Sequence, residues 1–127
     1  MNGYTANITE SSYASLTPQE RIKLKDMSET IRLDKATEKG SVTATITDYA
    51  VVAIHNEKLA ERKDYNMYLY IAKDGTKYCS GSESLADAFM DIYMEMTSEG
   101  IHEMDIEFFR HPSKNYSGKD FLSCRLA

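Results

Sequence analysis

Two stretches of this chain set cations beside aromatic rings. Tyr68, Tyr70, Lys73 and Lys77 surround an Asp74-Gly75 pair, and Arg110, His111, Lys114, Asn115, Tyr116 and Lys119 crowd into one segment that also holds Ser117-Gly118. Cations that follow phosphates, and rings on which bases stack at roughly 1–3 kcal/mol each, are the two means by which proteins hold single-stranded nucleic acid. Ser117-Gly118 leaves room for a ligand to approach the backbone. Arg125 extends the second cluster toward the C-terminus.

Catalytic chemistry finds no comparable support. His55, His102 and His111 are far apart in sequence, and neither they nor Cys79 and Cys124 fall at zinc-ligand spacing. Gly118-Lys119 is followed by Asp120, and Ser113 stands where a phosphate-binding loop needs its first glycine. No G-x-S-x-G occurs, and Asp105 and Glu107 alternate as a solvated strand face would. The sequence therefore assigns no catalytic residue, no metal and no cofactor.

The elements that must position these clusters follow from local pattern. Val42 to Ile54 alternates, with Val42, Ala44, Ile46, Ala50, Val52 and Ile54 on one phase and Asp48 as a polar interruption. That predicts a long strand that bends partway. Met67, Leu69 and Ile71 alternate with Tyr68, Tyr70 and Ala72, and Asp74-Gly75 suits a tight hairpin. A two-residue loop would pair Ile71 with Tyr78 and put Lys77 on the face of Tyr68 and Tyr70, whereas a bulge at the glycine would move Lys77 to the other side. Ser84-Leu85-Ala86-Asp87 predicts a capped helix with Leu85, Phe89, Ile92 and Met96 as its apolar stripe and Gly100 as its stop. Met104, Ile106 and Phe108 alternate with Asp105, Glu107 and Phe109, and Leu122, Cys124 and Leu126 with Phe121, Ser123 and Arg125, giving two further strands. Upstream, residues 1–16 read as an extended arm or loosely held strand. Thr17-Pro18-Gln19-Glu20 then opens a helix expected to run to about Leu33.

This order predicts a mainly β, α+β domain: a five-stranded OB-like Greek-key barrel over 42–127, with a helix between its third and fourth strands, and an N-terminal arm and helix over 1–41 that pack on it or serve dimerisation. A chain of 127 residues, 42% hydrophobic and 28% charged, is one globular domain. It shows no signal peptide and no membrane-length apolar run, which points to the cytoplasm and to Cys79 and Cys124 as reduced core thiols. Net charge is −5, so phosphate binding would have to rest on local basic regions. From Glu83 to Glu107 there are eight acids and no Lys or Arg; from Arg110 onward there are four bases against one acid.

In this arrangement the chain resembles the small OB-fold single-stranded-DNA-binding proteins of bacteriophages and mobile elements. The likeness covers about residues 42–126: the long first strand, Met67–Ser80 with its Asp74-Gly75 turn, the following helix, and the His111–Lys119 loop. It implies cooperative, largely sequence-neutral binding of single-stranded DNA in replication or recombination, with Tyr68, Tyr70, Lys73, Lys77, Arg110, Lys114, Tyr116, Lys119 and Arg125 on the binding face. A different class rests on the acids. The Glu83–Glu107 series could imitate a row of phosphates, as in a phage inhibitor that binds a host defence protein as a DNA mimic.

Overall fold

In the computed structural model of the protein, residues 4–56, 64–112 and 120–127 are described. Their strands form one curled mixed sheet, a half-barrel around an apolar interior. The elements are β1 (Tyr4–Ser11), α1 (Pro18–Lys25), β2 (Ile31–Arg32), α2 (Leu33–Ala36), β3 (Val42–Asn56), β4 (Asp64–Ala72), β5 (Lys77–Ser80), α3 (Glu83–Ser98), β6 (Met104–Pro112) and β7 (Asp120–Leu126). The strand order is β2-β5-β4-β3-β6-β7, with β1 also on β3, so the sheet has seven strands where five were expected. The two additional strands come from the first 41 residues.

Strand β3 organises the whole. Its first half, Val42 to Ile46, pairs with β6, and its second half pairs with β4 along one edge and β1 along the other. The register against β4 slips between Ile46 and Asp48, leaving Thr47 as an extra residue. Because side chains alternate, one extra residue exchanges the faces. Ile46 and Tyr49 therefore both point into the barrel, while Ala50, Val52 and Ile54 point out. The single apolar phase expected for Val42–Ile54 is thus divided between two clusters, and Asp48 marks the division, accepting hydrogen bonds from the hydroxyls of Ser12 at 2.9 Å and Thr47 at 3.0 Å.

The interior cluster joins Tyr70, Phe108, Met104, Ile106, Leu122 and Cys124 from the sheet to Leu85 and Phe89 of α3. Helix α3 is capped by Ser82 rather than Ser84: the Ser82 hydroxyl accepts from the Leu85 amide, and Ser84 donates to the carbonyl of Leu122. Its end is as expected, with Gly100 at φ +77 and the amides of Gly100 and Ile101 returning to Thr97 and Met96. The second cluster lies on the outside of β3, β4 and β5, where Leu24 of α1 covers Leu69, Cys79 and Val52.

Thr17 and Glu20 form the expected capping box, with mutual bonds of 2.9 and 3.1 Å. The helix stops at Lys25, eight residues short of Leu33. The Asp26 carboxylate binds the amide and hydroxyl of Ser28, turning the chain, and Ile31 and Arg32 are taken into the sheet by β5, parallel to Tyr78 and Cys79. Leu33 then drops into the interior, fully buried.

Burial also sets one pH dependence. The Cys124 thiol is pushed up from its ordinary 9.0 to about 12 by desolvation. A group whose folded value lies above its unfolded one stabilises the fold fully below the unfolded value and loses that contribution as pH climbs toward the folded one. Tyr13, raised from 10.0 to about 12, acts with the same sign. Denaturant melts should therefore show stability falling between pH 9 and 12. Near neutral pH, mass spectrometry after iodoacetamide should find Cys124 unmodified in the folded chain and modified in urea.

Candidate nucleic-acid interface

The hairpin cluster does not form a surface. The turn has three residues, Lys73-Asp74-Gly75, with Gly75 at φ +92 and the Asp74 carboxylate accepting from the Thr76 amide at 2.9 Å. Ile71 therefore faces Lys77 and Tyr70 faces Tyr78, the bulged alternative of the two registers. Lys77 moves to the outer phase under α1, where its ammonium donates to the carbonyls of Lys23 and Asp26, both at 2.7 Å. A cation at the last carbonyls of a helix satisfies them and opposes the helix dipole, so this lysine is a cap for α1.

Tyr70 is 2% exposed. Its ring sits 4.7 Å from Phe89 and 5.4 Å from Phe108, inside the barrel and unavailable to a base. Tyr68 is half-buried on the same inner phase. The Tyr70 hydroxyl has no hydrogen-bond partner among the described residues, and burial, with Cys124, Tyr68 and Asp87 nearby, raises its pKa well above the ordinary value. Leaving a buried hydroxyl unpaired costs roughly 1–3 kcal/mol. Tyr70→Phe should thus leave thermal stability unchanged or raise it by about 1 kcal/mol, and a clear loss in a calorimetric scan would mean that the hydroxyl has a partner.

The remaining cations are also engaged. Lys73 pairs with Glu103 at 3.3 Å on the surface. Arg110 lies on the inner phase of β6 and reaches α2, donating to the Asp34 carbonyl and to the Thr37 hydroxyl at 3.2 Å. Lys114, Tyr116 and Lys119 fall outside the described residues.

Arg125 alone among the described site residues lies on an open strand face beside a ring. Its guanidinium is 4.4 Å from the centroid of Phe109 and bonds Glu107 at 2.7 Å. Pairing of Phe109 with Ser123 and of His111 with Phe121 places both phenylalanines on the outer phase of the β6–β7 ribbon as diagonal neighbours, roughly 7–8 Å apart. Phe121 is 40% exposed. The ribbon thus presents two rings and a guanidinium on its outer face. Sequence reasoning left Phe109 and Phe121 out of the site, although the strand alternation had already put both on the polar phase. The hairpin cluster is thus divided among the interior, α1 and a surface ion pair, while of the second cluster Arg110 turns to α2 and Arg125 faces outward.

Among the described residues no group of His, Cys, Asp and Glu is arranged to hold a metal ion, and no helix is long and apolar enough to cross a membrane. The fold and this face together describe a mainly β half-barrel whose β6–β7 ribbon carries two rings and an arginine ion-paired with Glu107. Comparison of the chain with protein-family models, with curated proteins and with solved structures finds no match.

Proposed function

We propose that the protein binds single-stranded nucleic acid, DNA foremost, with little sequence preference, through the outer face of the β6–β7 ribbon. The observation that carries this reading is the exposed Phe121 diagonal to a Phe109 ring covered by Arg125. Rings here would accept bases, and Arg125 with Lys114 and Lys119 would follow phosphates, Tyr116 adding a third ring. The connections support it: one long strand paired at its two halves with the next strand and with the strand after the helix is the plan of an OB-like barrel, in which the loop between the last two strands flanks the ligand. Residues 113–119 stand at that place in the sequence. The face of β4 and β5 that such barrels also use is covered by α1, which shifts the proposed contacts to the ribbon. Fluorescence anisotropy with labelled oligo-dT at low and moderate salt is the test, and an absence of binding at micromolar protein would sink the reading.

A second reading rests on α3. Glu83, Asp87, Asp91, Glu95 and Glu99 are exposed at every fourth position, about 6 Å apart along the axis, and none has an ion-pair partner among the described residues. Such a row could engage a phosphate-binding surface on another protein as a DNA mimic. Asp91→Lys with Glu95→Lys should then abolish inhibition of that partner, while raising or leaving unchanged any affinity for DNA.

A further inference from the structure

A cleft of about 430 Å³ opens between β1, β3, β4 and the first turns of α3, away from the ribbon. Its walls combine rings with carboxylates: Tyr49, Tyr68, Asn66, Met90, Glu10 and Asp87 all line it, and among the described residues no Lys or Arg does. The geometry points to a receptor for the guanidinium of an arginine side chain presented by a partner protein, laid on the Tyr68 ring between the carboxylates of Glu10 and Asp87, with the Tyr49 hydroxyl at its floor.

The placement of Glu10 is built into the backbone. The pairing of β1 with β3 slips between Ile8 and Glu10, so that Glu10 instead of Thr9 faces Val51. Bulges of this kind re-aim side chains and recur beside functional sites. The Glu10 carboxylate accepts the Tyr49 hydroxyl at 2.7 Å through Oε2, fixing both groups, and its Oε1 has no hydrogen bond among the described residues. Tyr49 is itself locked edge-on to Tyr93 at 5.0 Å. On the opposite wall, Asp87 is exposed at its rim and has no ion-pair partner among the described residues. Beneath lies Tyr70, which also lines the cleft, and whose unpartnered hydroxyl has Tyr68 and Asp87 as neighbours.

The chemistry selects a cation. Two carboxylates on separate walls repel a phosphate or a nucleotide, and the neighbouring acids of α3 reinforce that field. A guanidinium is planar, weakly hydrated, able to stack on a tyrosine face and to donate to carboxylates in two directions, which an ammonium does less well. The volume suits a side chain with its stem, and Met90 offers that stem an adaptable apolar wall. The cleft is lined by none of the residues of the β6–β7 ribbon, so a cation could fill it whether or not single strands bind there.

The test is an NMR titration of the full chain with N-acetylarginine methylamide, its neutral isostere N-acetylcitrulline methylamide, agmatine as a free amine, and cytidine. The arginine compound should give saturable shifts at Asn66, Tyr68, Asp87 and Met90, with the citrulline compound about tenfold weaker or silent. Asp87→Asn, a change on an exposed helix face, should weaken the arginine compound by about fivefold or more with the circular-dichroism spectrum unchanged. Equal binding of citrulline, shifts centred elsewhere, no saturation, or an unaffected Asp87→Asn variant would each overturn the proposal. Tighter binding of agmatine would overturn the assignment to a protein side chain, and tighter binding of cytidine would overturn the cation.

Discussion

Phe89→Ala is expected to cost about 3–5 kcal/mol of folding stability, and in urea melts the midpoint should fall steeply with little change in slope. Phe89 is 1% exposed and is the largest fully buried side chain joining α3 to the sheet, 4.7 Å from Tyr70 and 6.1 Å from Tyr49, with Tyr93 of the same helix stacked on it at 5.8 Å. Truncation removes the apolar transfer energy of a buried ring and leaves a cavity that the curled sheet cannot close, since its strands are held in register by β3. The loss is a large share of the about 5–15 kcal/mol that holds a typical domain together. Leu85, fully buried one turn earlier, and the bond from Ser84 to the Leu122 carbonyl share the task of holding α3 in place, but surface electrostatics do not. The acids of α3 recur every fourth residue, a spacing at which like charges oppose one another, and no basic residue lies in its last turn to offset the helix dipole. Phe89→Leu, which keeps most of the volume, should cost well under half as much. A loss below about 1 kcal/mol for the alanine variant would show that α3 is fastened elsewhere.

The largest effect on binding should come from Phe121→Ala. If single strands lie on the ribbon, removing one stacking ring should weaken oligo-dT by about 5- to 150-fold, the equivalent of roughly 1–3 kcal/mol. Because Phe121 is 40% exposed, the melting temperature should barely move, which separates a binding defect from unfolding. Arg125→Ala should act differently, lowering affinity at every salt concentration and reducing by about one the steepness with which affinity falls as salt rises. Tyr70→Phe should leave affinity untouched, since its ring is inside the barrel. If Phe121→Ala and Arg125→Ala both bind as the native chain does, the ribbon is not the site, whatever the oligonucleotide affinity.

The fold was more legible than the site, and the reasons are physical. Periodicity reports which residues alternate, so β3, β4, β6 and β7 and the α3 stripe could be read directly. It does not report an extra residue. One such residue sits at Thr47 and turns Tyr49 inward; another sits in the Lys73-Asp74-Gly75 turn and carries Lys77 away from Tyr70. Two single-residue slips thus dissolved a face that looked continuous in sequence. Tyr70 misled for a related reason, because a tyrosine on the polar phase of a strand looks alike whether it meets solvent or the inside of a barrel whose opposite face is covered by a helix. Ile31 and Arg32 lacked any strand signal of their own, being recruited by β5. Phe109 and Phe121 were within reach, being rings on the polar phase beside a basic loop.

Strand β3 has a consequence for the order in which the chain can assemble. β1 is paired with residues about forty to fifty positions further along, and the first half of β3 with residues some sixty positions further again. Pairings that distant are closed late and slowly, on the millisecond-to-second scale typical of sheet-rich domains. During synthesis β1 must therefore wait, an open-edged strand with no partner yet made. Its composition suits the wait: Thr5, Asn7, Thr9, Glu10 and Ser11 leave only Ala6 and Ile8 as apolar side chains among residues 5–11, too few to attract another copy edge to edge. The polar character that made this arm hard to recognise as a strand is what keeps it safe until β3 arrives.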